Sequence, residues 1–171
     1  MKVVMIIANQ GYQDKEYSVP KKFLEDSGVE VVTAAKYVSK AQGSLGGSAN
    51  IDLCLGDVHV FDYDAVIFVG GPGAIKYQED IEAHLIIRDA VEQGIVVAAI
   101  CIAPTILGHA GILDDKKVTV WNKDGSGSKK VESCGAQFVD SNVVVDGKLV
   151  TANGPDAAEE FGLKILEVLK E

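Results

Sequence analysis

Cysteine and histidine are scarce in this chain, at three each, and neither type is clustered. Cys54, Cys101 and Cys134 lie far apart with no CxxC pair. That excludes a disulfide framework and a zinc site built on paired thiolates, so no metal or other cofactor is expected, and a reducing, cytoplasmic compartment fits. Positive charge is also short: 16 Lys and Arg against 25 Asp and Glu leave a net charge of -9. Such a field repels nucleic acid and anionic membrane surfaces, and neither is expected as a partner. No apolar run approaches the roughly 20 residues of a membrane span. The opening Met1 to Asn9 is too short in apolar residues for a signal-peptide core. Repeats, linkers and low-complexity segments are missing as well. What is plentiful is apolar surface, 47% of 171 residues, enough for one domain over residues 1–171 with a sizeable core.

The apolar residues fall into short runs. Lys2 to Ala8, Val29 to Ala35, Ala65 to Val69 and Val96 to Ile100 read as strands buried on both faces, because they are continuous rather than alternating. Helical patterns separate them, from about Lys15 to Ser27 with Gly28 as the stop, and from Ile81 to Gln93 ahead of Gly94. The glycine-rich stretch from Gln42 to Asp62 suits a hairpin or edge structure. Further on, a helix from Ala103, a strand at Lys116 to Val120 and a short helix near Ser128 to Ser133 are expected. Asn142 to Asp146 and Lys148 to Thr151 form a hairpin around Asp-Gly, and a last helix starts at Asp156. Strands alternating with helices predict an α/β fold with a mostly parallel sheet covered on both faces.

Ligand sites in such sheets lie at the carboxyl ends of the strands, where Cys101 follows Val96 to Ile100. The string Ala99-x-Cys101-x-Ala103 places small residues two before and two after the thiol, as a strained nucleophile elbow requires. Pro104 suits a first helical turn. A helix starting there directs its positive end at the sulfur and predicts an acidic thiol. Gly70 and Gly71 end the preceding strand, and a Gly71 N–H with the Ile102 N–H would form a two-donor oxyanion pocket. His59 and His84 are read as solvated or structural, and His109, two turns into the helix after Cys101, as pointing away from the sulfur.

Four segments then carry a resemblance: FVGGPGA at Phe68 to Ala74, AAICIAPTILGHAGIL at Ala98 to Leu113, KKVTVW at Lys116 to Trp121, and VVVDGKLVTANGP at Val143 to Pro155. In order and spacing they resemble the ThiJ/PfpI superfamily over essentially the whole chain. The resemblance implies a flavodoxin-like, class I glutamine amidotransferase-like α/β/α sandwich with Cys101 on its elbow. It also implies a homodimer or larger homo-oligomer.

In the protease-like members a histidine follows the cysteine, and here that position is Ile102. The other family position for a nearby histidine, after the strand KVTV, is Trp121, which with Gly70 is expected to line the pocket. A family glutamate from the loop after the first strand contacts the sulfur. Sliding NQGYQDKEY onto that pattern puts Gln13 there, with Asp14 as the alternative because the loop is one residue longer. The expected function is that of an oxidative or carbonyl stress protein. Its partner is a small carbonyl compound or oxidant, its Cys101 is oxidised to sulfinic acid, and glyoxalase or deglycase activity is weak because a glutamine cannot shuttle a proton. A PfpI-type cysteine peptidase or hydrolase and a non-catalytic, chaperone-like member are the alternatives.

Overall fold

The computed structural model describes residues 1–171. In chain order the elements are β1 (Lys2–Ile6), β2 (Gln10–Tyr12), α1 (Asp14–Asp26), β3 (Glu30–Ala35), β4 (Lys40–Gly43), β5 (Ser48–Asn50), β6 (Leu53–Cys54), β7 (Ala65–Phe68), α2 (Ile81–Glu92) and β8 (Val96–Ile100). There follow α3 (Pro104–His109), β9 (Lys117–Val118), α4 (Ser126–Ser133), β10 (Gln137–Phe138), β11 (Val143–Asp146), β12 (Leu149–Ala152) and α5 (Ala158–Leu169). The main sheet runs β11-β12-β8-β7-β1-β3-β6. All its neighbours are parallel except the β11–β12 hairpin, so the fold is flavodoxin-like.

The continuous apolar runs are explained by two cores. Along β1, Val4 and Ile6 face one layer with Ile87 of α2 and Ile106 and Leu107 of α3. Val3 and Met5 face the other, with Leu24 of α1 and Phe161 and Ile165 of α5. Every strand residue from Val96 to Ile100 is buried, so neither face tolerates a polar side chain there without a partner. No helix is long and apolar enough to cross a membrane.

Register positions the chemistry. Ile6 pairs with Phe68, and Phe68 with Ala99, so β1, β7 and β8 end together and their following residues share one edge of the sheet.

One expectation about secondary structure needs correction. Lys116 to Val120 is not a full strand: only Lys117 and Val118 pair, with Gln137 and Phe138, in a separate two-stranded sheet. The chain leaves that ladder because the Thr119 N–H donates to Thr151 Oγ1 and the Trp121 N–H to the Cys101 carbonyl. The glycine-rich stretch supplies the hairpin and edge structure expected of it: β4 and β5 pair antiparallel in a small sheet with β2, and β6 forms the main-sheet edge. The segment after Gly71 is a 3-10 helix over Pro72–Glu79, tied down where the Tyr77 hydroxyl donates to the Ile7 carbonyl.

Candidate active site

Cys101 occupies the turn between β8 and α3 with φ +65°, a left-handed conformation that costs a non-glycine residue about 1–2 kcal/mol. Its backbone is held on both sides. The Cys101 N–H donates to the Ala152 carbonyl of β12 at 2.8 Å, and its carbonyl accepts the Trp121 N–H at 2.8 Å. Ala99 and Ala103 are fully buried, which is why small residues flank the elbow. The N–H groups of Gly71 and Ile102 both face the sulfur. Gly71 and Ile102 therefore meet at Cys101 as the two donors expected of them.

Gly70 and Gly71 have separate reasons to be glycine. A side chain at Gly70 would start 2.5 Å from Glu16 Oε2 and 2.7 Å from Cys101 Cβ. Gly71 has φ +104° and lies against the backbone of Gly11, Tyr12 and Gln13. Both residues let the loop after β1 press onto the elbow, an approach secured where the Gln13 N–H donates to the Gly70 carbonyl at 3.0 Å.

The side chain that this approach brings to the sulfur is Glu16, not Gln13. Gln13 caps α1: its Oε1 accepts the Glu16 N–H at 2.9 Å. Asp14 points elsewhere, accepting from the Leu45 and Gly47 N–H groups at 2.8 and 2.6 Å and so tying the β4–β5 turn to α1. Glu16 is fully buried. The Cys101 thiol and the Gly70 N–H face its carboxyl, yet neither oxygen completes a well-formed hydrogen bond.

Matching the loop residues to the family pattern points to Gln13, whereas the helix that follows points to Glu16. A signal was present: in α1 the buried residues are Glu16, Tyr17, Pro20 and Leu24. Glu16 thus sits at helical spacing on the apolar stripe, one turn before Pro20 and two before Leu24. An acid on that stripe needs an explanation.

The electrostatics follow from enclosure. Burial pushes the Glu16 carboxyl up to about 7, against smaller opposing effects of Cys101 and the Gly70 N–H. The Cys101 thiol is also pushed up, first by burial and then by the facing carboxylate, while the Ile102 and Gly71 N–H groups pull the other way. The expectation of an acidic thiol set by a helix end is therefore corrected. The helix α3 has only six residues, and burial together with a carboxylate outweighs it. Both shifts share one origin, a site that admits a single negative charge. Ionisation of either group holds the proton on the other. Of the two, the carboxyl ionises first and the thiol then keeps its proton, so the thiolate forms only where Glu16 holds the shared proton.

No histidine joins the pair. His84 Nε2 bonds the Gln78 carbonyl and His109 Nδ1 bonds Glu79 Oε1. His59 precedes a 3-10 turn at Val60–Asp62. Trp121 lines a cleft and is joined to the elbow where its N–H donates to the Cys101 carbonyl. No group of three or more His, Cys, Asp or Glu side chains is arranged to hold a metal.

Comparison with known proteins gives a consistent picture. A family model described as DJ-1/PfpI matches residues 1–168. A deglycase of Thermococcus kodakarensis is 33% identical over 156 residues, covering 89% of this chain and 90% of its own. A glutathione-independent glyoxalase of Caenorhabditis elegans is 29% identical over 168 residues, covering 98% and 88%. The crystal structure of a ThiJ/PfpI domain protein from Brachyspira murdochii superposes with a TM-score of 0.93 at 32% identity, over 99% of this chain and 96% of that one.

Proposed function

The chain belongs to the DJ-1/PfpI family, and we propose that this member uses Cys101 and Glu16 as a nucleophile and proton carrier on small reactive carbonyl compounds. The observation that carries the reading is the buried Glu16 carboxyl against the elbow thiol, with the Gly71 and Ile102 N–H groups aimed at the same sulfur. Glu16 supplies the proton transfer that Gln13 could not, so the reason to expect only weak turnover is gone.

With an α-oxoaldehyde such as methylglyoxal, the thiolate attacks the aldehyde carbon. The C–S bond forms, the carbonyl electron pair moves to oxygen, and that oxygen takes the Glu16 proton to give a hemithioacetal. The Glu16 carboxylate then removes the proton from the carbinol carbon, and the neighbouring carbonyl carbon regains it by way of an enediol. A thioester results, which water hydrolyses to the α-hydroxy acid and the free thiol. The two carbons exchange oxidation level internally, so no outside oxidant or reductant is required.

The test is methylglyoxal consumption with lactate formation. Wild type is expected to be active, Cys101→Ala inactive, and Glu16→Gln lowered about a hundredfold or more in kcat. Turnover unaffected by Glu16→Gln would remove Glu16 from the chemistry, and turnover surviving Cys101→Ala would end the proposal.

Oxidation is the second reading, favoured by the same donors. Two peroxide equivalents take the thiolate through the sulfenate to the sulfinate, releasing two waters, and the Gly71 and Ile102 N–H groups with a protonated Glu16 can hold the added oxygens. Graded peroxide and peptide mass spectrometry should then find Cys101 oxidised before Cys54 and Cys134. A peptidase reading has no such support, since no histidine base reaches the sulfur.

A further inference from the structure

A cleft of about 380 Å³ lies beside the elbow, and its lining is unlike the apolar site that a small aldehyde needs. One wall is Trp121 and Asn122, the other Asn142 and Asn153 with Pro155. Both walls are fastened to the Cys101 backbone. The Trp121 N–H bonds the Cys101 carbonyl, and the Cys101 N–H bonds the carbonyl of Ala152, next to Asn153. The cleft therefore stands in fixed register with the elbow backbone.

Its polar groups are largely unspent. Asn153 Nδ2 donates to Asn142 Oδ1 at 3.4 Å, which leaves Asn142 Nδ2 as a donor and Asn153 Oδ1 as an acceptor. Asn122 Oδ1 takes the Ser128 N–H at 2.9 Å, and its Nδ2 remains. Trp121 makes only backbone hydrogen bonds, so its indole N–H is also available. Gly154 places bare backbone near the indole edge, where a Cβ would come 3.6 Å from Trp121 Cδ1.

Amides that both donate and accept, next to an indole face, suit vicinal hydroxyl groups, which also do both and carry C–H faces that pack on an aromatic ring. Charge narrows the choice further. Asp140 and Asp156 stand with Lys123 and with Lys15, which lies 3.4 Å from Asp156, so the rim carries no surplus positive charge to hold a phosphate.

We propose that this cleft is a subsite for the polyhydroxylated chain of sugar-derived carbonyl compounds, holding the tail while the aldehyde end reaches Cys101. The inference rests on the carbonyl reading of the site and names its substrate class.

Trp121 is the single tryptophan, so its fluorescence reports the cleft directly. Cys101→Ala protein titrated with sorbitol, an unreactive polyol, should show a saturable millimolar change that propane-1,2-diol and sorbitol 6-phosphate do not reproduce. In steady-state assays of the active protein, 3-deoxyglucosone, an α-oxoaldehyde with a hydroxylated chain, should have a KM about tenfold below that of methylglyoxal, as expected from one or two added hydrogen bonds. Asn153→Ala should bring the KM ratio close to one. A sorbitol response no different from that of propane-1,2-diol, or equal KM values in wild type, overturns the subsite while leaving the Cys101 chemistry standing. If neither aldehyde is consumed, the carbonyl reading fails, and the fluorescence titration still decides whether polyols bind.

Discussion

Replacing Glu16 with Gln changes one atom and removes one buried ionisation, so the pH dependence of stability isolates what that ionisation costs. The folded carboxyl titrates near 7 against an ordinary 4.5, because burial disfavours its charged form. Below about pH 4.5 it is protonated whether the chain is folded or not, and it contributes no penalty. Between there and 7 the unfolded chain has lost the proton while the folded chain keeps it, so stability falls as pH rises. The loss is complete once pH passes the folded value. A displacement from 4.5 to about 7 corresponds to about 3 kcal/mol.

Glu16→Gln has no such dependence. Its own packing and hydrogen bonding add an offset that does not change with pH, so the quantity to read is the difference between the two urea-unfolding curves as a function of pH. From pH 5 to pH 8 that difference should move by about 2.5 kcal/mol in favour of Glu16→Gln, or roughly 5–10 °C in Tm for a chain of this size. Staying at or below pH 8 keeps the unfolded thiols mostly protonated. The same drift should persist in a Cys101→Ala background, since burial is the first cause and the thiol a lesser one. Parallel curves for wild type and Glu16→Gln would refute a carboxyl held protonated by the site.

Other substitutions test the geometry. Gly70→Ala should destabilise the fold by about 1–3 kcal/mol in urea unfolding, since the new methyl starts 2.5 Å from Glu16 Oε2 and 2.8 Å from the Ile100 carbonyl. It should also slow thiol alkylation by displacing Glu16, and a neutral result would mean that Glu16 does not rest where we place it. Cys101→Gly should stabilise the protein by about 1 kcal/mol relative to Cys101→Ala, because glycine adopts φ +65° without the steric cost; a lower Tm than that of the alanine variant would argue against strain at the elbow. Gln13→Ala should cost about 1 kcal/mol by thermal melting as a lost helix cap. Were it to alter thiolate ultraviolet absorbance against pH more than Glu16→Gln does, Gln13 would have to be returned to the sulfur.

The layout of the sheet was legible because its signals are local and repeated. Continuous β-branched runs, helix stops at Gly28 and Gly94 and the Asp-Gly turn each point to one structure, and the β11–β12 hairpin pairs Val143 with Ala152 around that turn. The elbow was legible for the same reason, in Ala99 and Ala103 on either side of Cys101. What failed was local in sequence but decided by distant contacts. Lys116 to Val120 carries strand-forming residues, yet Thr119 and Trp121 give their N–H groups to Thr151 and Cys101. Whether Gln13, Asp14 or Glu16 meets the sulfur depends on where α1 begins, and its first residue, Asp14, is drawn to the Leu45 and Gly47 N–H groups of a hairpin thirty residues on. A shift of one residue in a helix turns each side chain by about 100°, enough to exchange a cap for an acid in the site.

The thiol's character is set in the same way, because helix dipole and backbone donors act against burial and the charge that faces them. A lone cysteine over a helix end would be acidic at all times. Paired with a buried carboxyl, it is reactive only while the partner holds the proton, and one proton serves two groups. This ties stability and chemistry to the same residue. The burial that raises the Glu16 carboxyl to about 7 destabilises the folded chain at neutral pH, and it also sets that carboxyl to give and take a proton there. A Glu16 relieved by an added hydrogen-bond donor would titrate lower, leave the chain more stable at pH 8, and protonate a substrate oxygen less readily. Stability and turnover at that pH should therefore move in opposite directions across substitutions around Glu16. A set of variants in which both rise together would separate the buried carboxyl from the catalytic step.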